Sequence, residues 1–264
     1  MLDQAIIDKA AQRLFREGQQ RQARQRMAEA DTGTLDDAYR IQEALHDILH
    51  QHDFGDIVGY KIALTSHTMQ QMCGVDHPLA GAIFSSVVHQ APARLPLSQF
   101  IRLGVEFEVA VKLGANLPAT NQAHTRASVA AAISACMPAF ELVEDRNADY
   151  KKLEAFSLIA DNCWNGGVVL GTSMSNWEKL DLEHAKTLLW LNGEAAGEGR
   201  VGDAMGHPFE VVAWVANLLN QRGKMLRKDM IVMTGSSIIT KFPNVGDSLR
   251  FAIEGMGEIE LEVT

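Results

Sequence analysis

Near residue 56 the hydrophobic period of the chain changes from that of helices to that of strands, and this change limits the folds open to it. Before that point Ile6, Ile7, Ala10, Ala11, Leu14 and Phe15 recur at helical spacing among charged and amide residues, which predicts an amphipathic helix. A second helix is expected from Thr34, whose hydroxyl caps the first turn with Asp37 three residues on. Ala38, Ile41, Leu45, Ile48 and Leu49 form its apolar stripe. His46, His50 and His52 near its end are expected to be exposed, where they suit the negative end of the helix dipole.

After Asp53-Phe54-Gly55-Asp56 come short β-like runs separated by Gly, Pro and Asn. Ile57–Leu64, Leu103–Leu113, Ala139–Asp145, Gly166–Leu170, Thr187–Leu191, Met230–Thr234, Ser248–Ile253 and Gly257–Val263 read as strands. Asn192-Gly193 is a type I′ hairpin signal. Helices are expected at Ser66–Met72, over the alanine-rich Thr125–Met137, and from Pro208 to the stop at Gly223. Strands dominate and helices interrupt them irregularly, which favours an α+β fold over strict βαβ alternation. The organisation expected is a helical region over residues 1–55 and a β-rich catalytic domain over residues 56–264.

Composition excludes several classes of function. Of the 264 residues, 33 are Asp or Glu and 24 are Lys or Arg, for a net charge of −9. That disfavours nucleic acid and anionic membrane, both of which need concentrated positive charge. The basic stretch Arg16–Arg26 is interleaved with Gln and Glu and reads as a solvated helix face. Cys73, Cys136 and Cys163 are odd in number and widely spaced, so neither a disulfide framework nor a zinc ribbon is expected, and a cytoplasmic location is. No run approaches the ~18 apolar residues of a membrane helix.

Chemistry concentrates in Val105-Glu106-Phe107-Glu108-Val109-Ala110-Val111. At a period of two, the valines and Phe107 face one way and Glu106, Glu108 and Ala110 the other. The two glutamates then lie about 7 Å apart at Cα, near enough for both carboxylates to converge on one cation. Without a cation or a shared proton they repel. Glu141, in the run Pro138–Asp145, is a candidate third ligand, and an all-oxygen set suits Mg²⁺ or Mn²⁺ better than zinc. The alternation alone is equally compatible with an acidic face turned to solvent, the commoner reason for such a pair.

The segment Gly59-Tyr60-Lys61-Ile62-Ala63-Leu64-Thr65-Ser66 resembles the G-x-K-x-G-L-T-S motif of the 2-keto-4-pentenoate hydratase and 4-oxalocrotonate decarboxylase group, within the fumarylacetoacetate hydrolase superfamily. Further blocks follow in the same order: Gly74–Pro78, Val105–Glu108, Pro138–Glu141, Ile159–Asn162, Gly206–Pro208 and Met233–Gly235. The resemblance runs from Asp37 onward. It implies a mixed β-sandwich roll with an N-terminal helical region, a high-order homo-oligomer, and Mg²⁺ or Mn²⁺ held by Glu106, Glu108 and Glu141.

It also implies roles for other residues. Lys61, the one cation in an apolar run, is expected near the metal, against the alternative of a lysine snorkelling from a strand end. Asp76 is either an acid/base group or an ordinary turn cap. Thr65, Asp161, Asn162, Thr234 and Ser236 are expected to contact substrate. His207, ahead of Pro208, is expected to bond locally at a helix start. Ala63, Leu79 and Trp164 depart from the family pattern and lie near the expected pocket. The function implied is addition of water to a 2-hydroxy-2,4-dienoate. Decarboxylation of a 2-oxo-3-enedioate, C–C hydrolysis or tautomerisation, and a non-catalytic scaffold complexed with a related pathway enzyme are the alternatives.

Overall fold

A computed structural model describes residues 1–264. Helices α1 (Gln4–Gln19) and α2 (Leu35–Gln51) form the head. Ile7, Ala10, Ala11 and Leu14 of α1 and Ala38, Ile41 and Leu45 of α2 are buried in one apolar cluster, as their periodicity predicts. Thr34 and Asp37 close a complete capping box, and the buried Asp37 also accepts from the Leu2 amide at 3.0 Å. That cluster continues into Leu64, Leu79, Phe156, Leu158 and Trp164, so the head packs directly on the body.

The body contains strands β1 (Ile57–Ala63), β2 (Leu79–Phe84), β3 (Val88–Gln90), β4 (Ala93–Leu95), β5 (Leu103–Leu113) and β6 (Ile133–Glu144). It continues with β7 (Asn165–Leu170), β8 (Lys186–Leu191), β9 (Glu194–Arg200), β10 (Ile231–Met233), β11 (Ser248–Ile253) and β12 (Gly257–Val263). Helices α3 (His67–Met72), α4 (Arg126–Ala130), α5 (Ala155–Ala160) and α6 (Pro208–Gln221) interrupt them. Two mixed sheets result, ordered β2-β1-β10-β5-β6-β7-β3 and β4-β12-β11-β8-β9. This is the curled, mixed α+β roll expected from the resemblance.

The sheets meet through the odd-numbered face of β5. Phe107, its register partner Phe140 on β6, and Phe251 on β11 stack with ring centroids 5.6–6.3 Å apart. Val105, Val109 and Val111 complete that core. The opposite face of β5, with Glu106 and Glu108, is thereby turned away from the sandwich core.

Most elements fall where the periodicity places them. Asn192 and Gly193 both have positive φ, as a type I′ turn requires, and His207 caps α6 by accepting from the Phe209 amide. Two expectations fail. The helix expected over Thr125–Met137 ends at Ala130, and from Ile133 the chain is strand. Alanine favours helix only weakly; continuous pairing with β5, Val111 opposite Cys136 and Ala110 opposite Met137, overrides it. His46 is buried rather than exposed, because it lies on the face of α2 that packs against the 162–164 segment.

Candidate metal centre

Strand register assembles the carboxylates. Glu106 and Glu141 are direct cross-strand partners on β5 and β6, and Glu108 follows on the same face. Ligand atoms from all three lie within 4.8 Å of one another. Glu106 is half-buried, Glu108 is 1 % exposed and Glu141 is 0 % exposed, so an acidic face open to solvent does not describe this cluster. Lys61 stands on β1, three places from β6 in the sheet, which in a flat sheet would be about 14 Å away. The curl closes that gap: Lys61 Nζ lies 2.7 Å from Glu141 Oε1 and donates to the Cys163 carbonyl at 3.0 Å.

The neighbours fix each group. Thr240 Oγ1 donates to Glu106 Oε1 at 2.7 Å, and the Gly235 amide donates to Glu108 Oε2 at 2.8 Å. Gly235 has φ +98°, and a Cβ there would lie 2.5 Å from Thr65 Cγ2, so this close turn requires glycine. Burial, with Glu141 and Glu106 alongside, pushes the Glu108 carboxyl well above the usual range. Burial also raises Glu141, to about 7, against the opposing pull of the Lys61 ammonium. For Lys61 burial works toward neutrality, but the glutamates outweigh it and hold its pKa above the ordinary lysine value.

These residues fit a divalent cation. Three carboxylates face one ammonium, leaving two negative charges uncompensated in a buried space. Glu108 Oε1 and Glu141 Oε2 have no hydrogen-bond partner. Buried carboxylate oxygens left without donors cost free energy unless a cation faces them, and the hard oxygen set matches Mg²⁺ or Mn²⁺.

A cavity of about 390 Å³ adjoins the cluster, lined by Lys61, Glu106, Thr65, Ser236 and Thr240 on its polar side. Of the expected substrate contacts, Thr65 and Ser236 line it. Ser236 Oγ accepts from the Phe107 amide at 2.8 Å and donates to the Ile238 carbonyl at 2.7 Å. Thr234 is buried, with its hydroxyl donating to the Val109 carbonyl. Asp161 and Asn162 are not in the wall. Asp161 pairs with Arg24 and Arg146. Asn162 accepts from the Ala82 amide and from His46 Nε2, and donates to the Ala82 carbonyl. Asp76 sits on an exposed turn outside the cavity. Of the departures from the family pattern, Ala63 and Trp164 line the wall, whereas Leu79 is buried elsewhere.

Sequence reading missed how the segment Asn162-Cys163-Trp164 works. All three residues have positive φ, between 48° and 60°, a conformation that L residues avoid. The turn aims the Cys163 carbonyl at Lys61. Gly81 makes room for it, since a Cβ there would lie 2.4 Å from the Asn162 carbonyl oxygen. That glycine, in the middle of a strand, was the one signal available.

Comparison with known proteins agrees with this geometry. Residues 72–264 match the family described as fumarylacetoacetate (FAA) hydrolase C-terminal. The chain belongs to the fumarylacetoacetate hydrolase family. It is 32 % identical over 234 residues to the 2-hydroxyhexa-2,4-dienoate hydratase of Comamonas testosteroni, covering 88 % of this chain and 87 % of that one. With a 4-oxalocrotonate decarboxylase of Pseudomonas putida it shares 28 % over 226 residues, 86 % and 84 % of the two chains. The fold matches 4-oxalocrotonate decarboxylase from P. putida G7 over 100 % of this chain and 99 % of that one. The TM-score is 0.91 at 24 % identity for its complex with magnesium and adipate, and 0.89 at 25 % for that with calcium and acetate. The chain is thus a relative of hydratases and decarboxylases. None of its helices is long and apolar enough to cross a membrane.

Proposed function

We propose that this chain is a metal-dependent hydratase that adds water to a 2-hydroxy-2,4-dienoate, giving a 4-hydroxy-2-oxo acid. The observation that carries the reading is the buried Glu106–Glu108–Glu141 cluster with Lys61 over it, beside a cavity sized for a small organic acid. The similarity to a dienoate hydratase over most of the chain supports it.

A bound Mg²⁺ or Mn²⁺ supplies Lewis acidity toward the adjacent keto and carboxylate oxygens of a 2-oxo acid. Glu106, Glu108 and Glu141 would hold that ion, with Thr240 and the Gly235 amide fixing two of them. Lys61 keeps a positive charge at the same place, where it offsets the substrate carboxylate and orients it. Thr65 offers a hydroxyl along the wall, whereas the Ser236 hydroxyl proton is committed to the Ile238 carbonyl; the apolar remainder of the cavity excludes bulk water, which strengthens these charges. Asp76 stands outside this arrangement and is assigned no proton-transfer role.

Decarboxylation of a 2-oxo-3-enedioate is the second reading, supported by the sequence similarity to a 4-oxalocrotonate decarboxylase over most of the chain. One assay separates them. Protein with Mg²⁺ or Mn²⁺ is given 2-hydroxypenta-2,4-dienoate and, separately, 2-oxohex-3-enedioate, following ultraviolet absorbance and CO₂. Loss of dienoate absorbance without CO₂ is expected. CO₂ from the enedioate with an inert dienoate would replace the hydratase by the decarboxylase, and turnover of neither would defeat both.

A further inference from the structure

The cavity beside the glutamate cluster is larger and more apolar than a five-carbon acid requires. Its volume of about 390 Å³ equals roughly a dozen waters at ~30 Å³ each, against about eight non-hydrogen atoms in a hydroxypentadienoate. Ser66, Tyr150, Asp203 and Ser237 add to the polar side already described, and Met69, Val143, Leu153, Leu158, Trp164 and Ile239 make up most of the apolar remainder.

A single cation lines it. Lys61 is the sole positively charged side chain in the wall, and it already faces Glu141. Arg24 lies 5.3 Å from the centre of the Trp164 ring, but neither it nor Arg146, with which it shares the carboxylate of Asp161, reaches the cavity wall. Arg102 pairs with Asp145 at 3.2 Å, and the Tyr150 hydroxyl donates to the same carboxylate at 3.1 Å. Besides Lys61 and Glu106, the remaining charged group in the wall is Asp203, which is acidic.

We infer that this site takes 2-oxo acids and 2-hydroxydienoates with one carboxylate and an apolar tail beyond C5, and rejects dicarboxylates of the same length. The inference rests on the reading of the site as a 2-oxo-acid site. A second carboxylate would be buried with no cation to face and an aspartate nearby, which costs more than its attraction to anything present. An alkyl tail loses water against Met69, Leu153 and Trp164, tightening binding by up to about fourfold per methylene. Selectivity in this direction separates the chain from its decarboxylase relatives, whose named substrate carries two carboxylates.

Calorimetric titration tests this with Mg²⁺ present and three stable ligands: 2-oxopentanoate, 2-oxooctanoate and 2-oxooctanedioate. We expect 2-oxooctanoate to bind at least tenfold tighter than 2-oxopentanoate and at least thirtyfold tighter than the diacid. Equal or tighter binding of the diacid, no gain with chain length, or no binding of any ligand at millimolar concentration would each overturn the inference. Met69→Arg places a cation in the wall and should bring the diacid level with 2-oxooctanoate or ahead of it. Leu153→Arg makes the same test from another element if the first variant does not fold. A folded variant with unchanged preference would also count against the inference. The hydratase reading fails separately: an intact order of binding with no turnover of any hydroxydienoate would remove the activity and leave the ligand class.

Discussion

Replacing Glu108 by Gln should make the metal-free protein more stable while abolishing its response to metal. Ligand atoms of the three glutamates lie within 4.8 Å of one another. At that separation two unit charges repel by roughly 3.5 kcal/mol at the effective dielectric of about 20 typical of proteins. Glu108 takes part in two such pairs, with Glu106 and with Glu141. Proton uptake relieves part of the repulsion, so a net gain of about 2 kcal/mol is a realistic figure for the substitution. In a chain of this length that corresponds to roughly 4–8 °C in Tm. The introduced glutamine would keep an oxygen for the Gly235 amide, and its side-chain amide could donate to the neighbouring carboxylates, so no new unsatisfied group is expected. The assay is thermal unfolding at neutral pH in chelator and in millimolar Mg²⁺. Wild type should gain several degrees with Mg²⁺, since ligand binding to the native state stabilises it; the variant should start higher and gain nothing. A metal-free Tm below that of wild type, or an undiminished Mg²⁺ response, would refute the electrostatic account of the cluster.

Lys61→Met should lower kcat by about 10²–10³ while Mg²⁺ still binds by calorimetry; unchanged kinetics would remove Lys61 from the mechanism. His46 is held neutral, its pKa lowered to about 4 by burial, against about 6.5 unfolded. The unfolded state therefore binds the extra proton first, and stability should fall as pH drops from about 6.5 to 4, by up to roughly 3 kcal/mol. Urea midpoints across that range should show this slope, and His46→Gln should flatten it; an equal slope in both proteins would contradict the assignment. Gly81→Ala forces a Cβ to within 2.4 Å of the Asn162 carbonyl oxygen. It should cost about 1–3 kcal/mol and lower activity through the displaced 162–164 turn. Full activity in Gly81→Ala would mean that this turn does not position the site.

Local periodicity made some of this legible and could not reach the rest. The period of two around Phe107 put Glu106 and Glu108 on one face, away from the sandwich core. It could not show that Glu141 lies opposite Glu106, because register between β5 and β6 is set by pairing along the full length of both strands. The same pairing drew Ala135 and its neighbours from Ile133 to Met137 into a strand where a helix was expected. Asp161 and Asn162 stand in a block shared with the family, yet both side chains point away from the cavity. Asp161 is held by Arg24 and Arg146, and Asn162 by Ala82 and His46, partners that no periodic pattern encodes. His46 looked like a helix-end histidine because its partner, Asn162, is 116 residues away.

That left-handed turn is also where local cost and function meet. Three successive L residues with positive φ are each disfavoured by roughly 1–2 kcal/mol, so the surrounding contacts must hold them there. Asn162 supplies three hydrogen bonds, to both backbone groups of Ala82 and to His46. Gly81 supplies the space. In return the Cys163 carbonyl faces Lys61 and gives its ammonium a second acceptor besides Glu141. With only the carboxylate to hold it, the ammonium would follow Glu141 whenever that side chain moved. Held between a carboxylate on β6 and a carbonyl anchored to β2, it keeps its place whether or not a cation sits below. The positive charge we propose to meet the substrate is therefore pre-positioned by the fold. It follows that disturbing the Asn162–Ala82 hydrogen bonds should raise KM or lower kcat without weakening Mg²⁺ binding, because the three glutamates stand on β5 and β6 and do not depend on that turn.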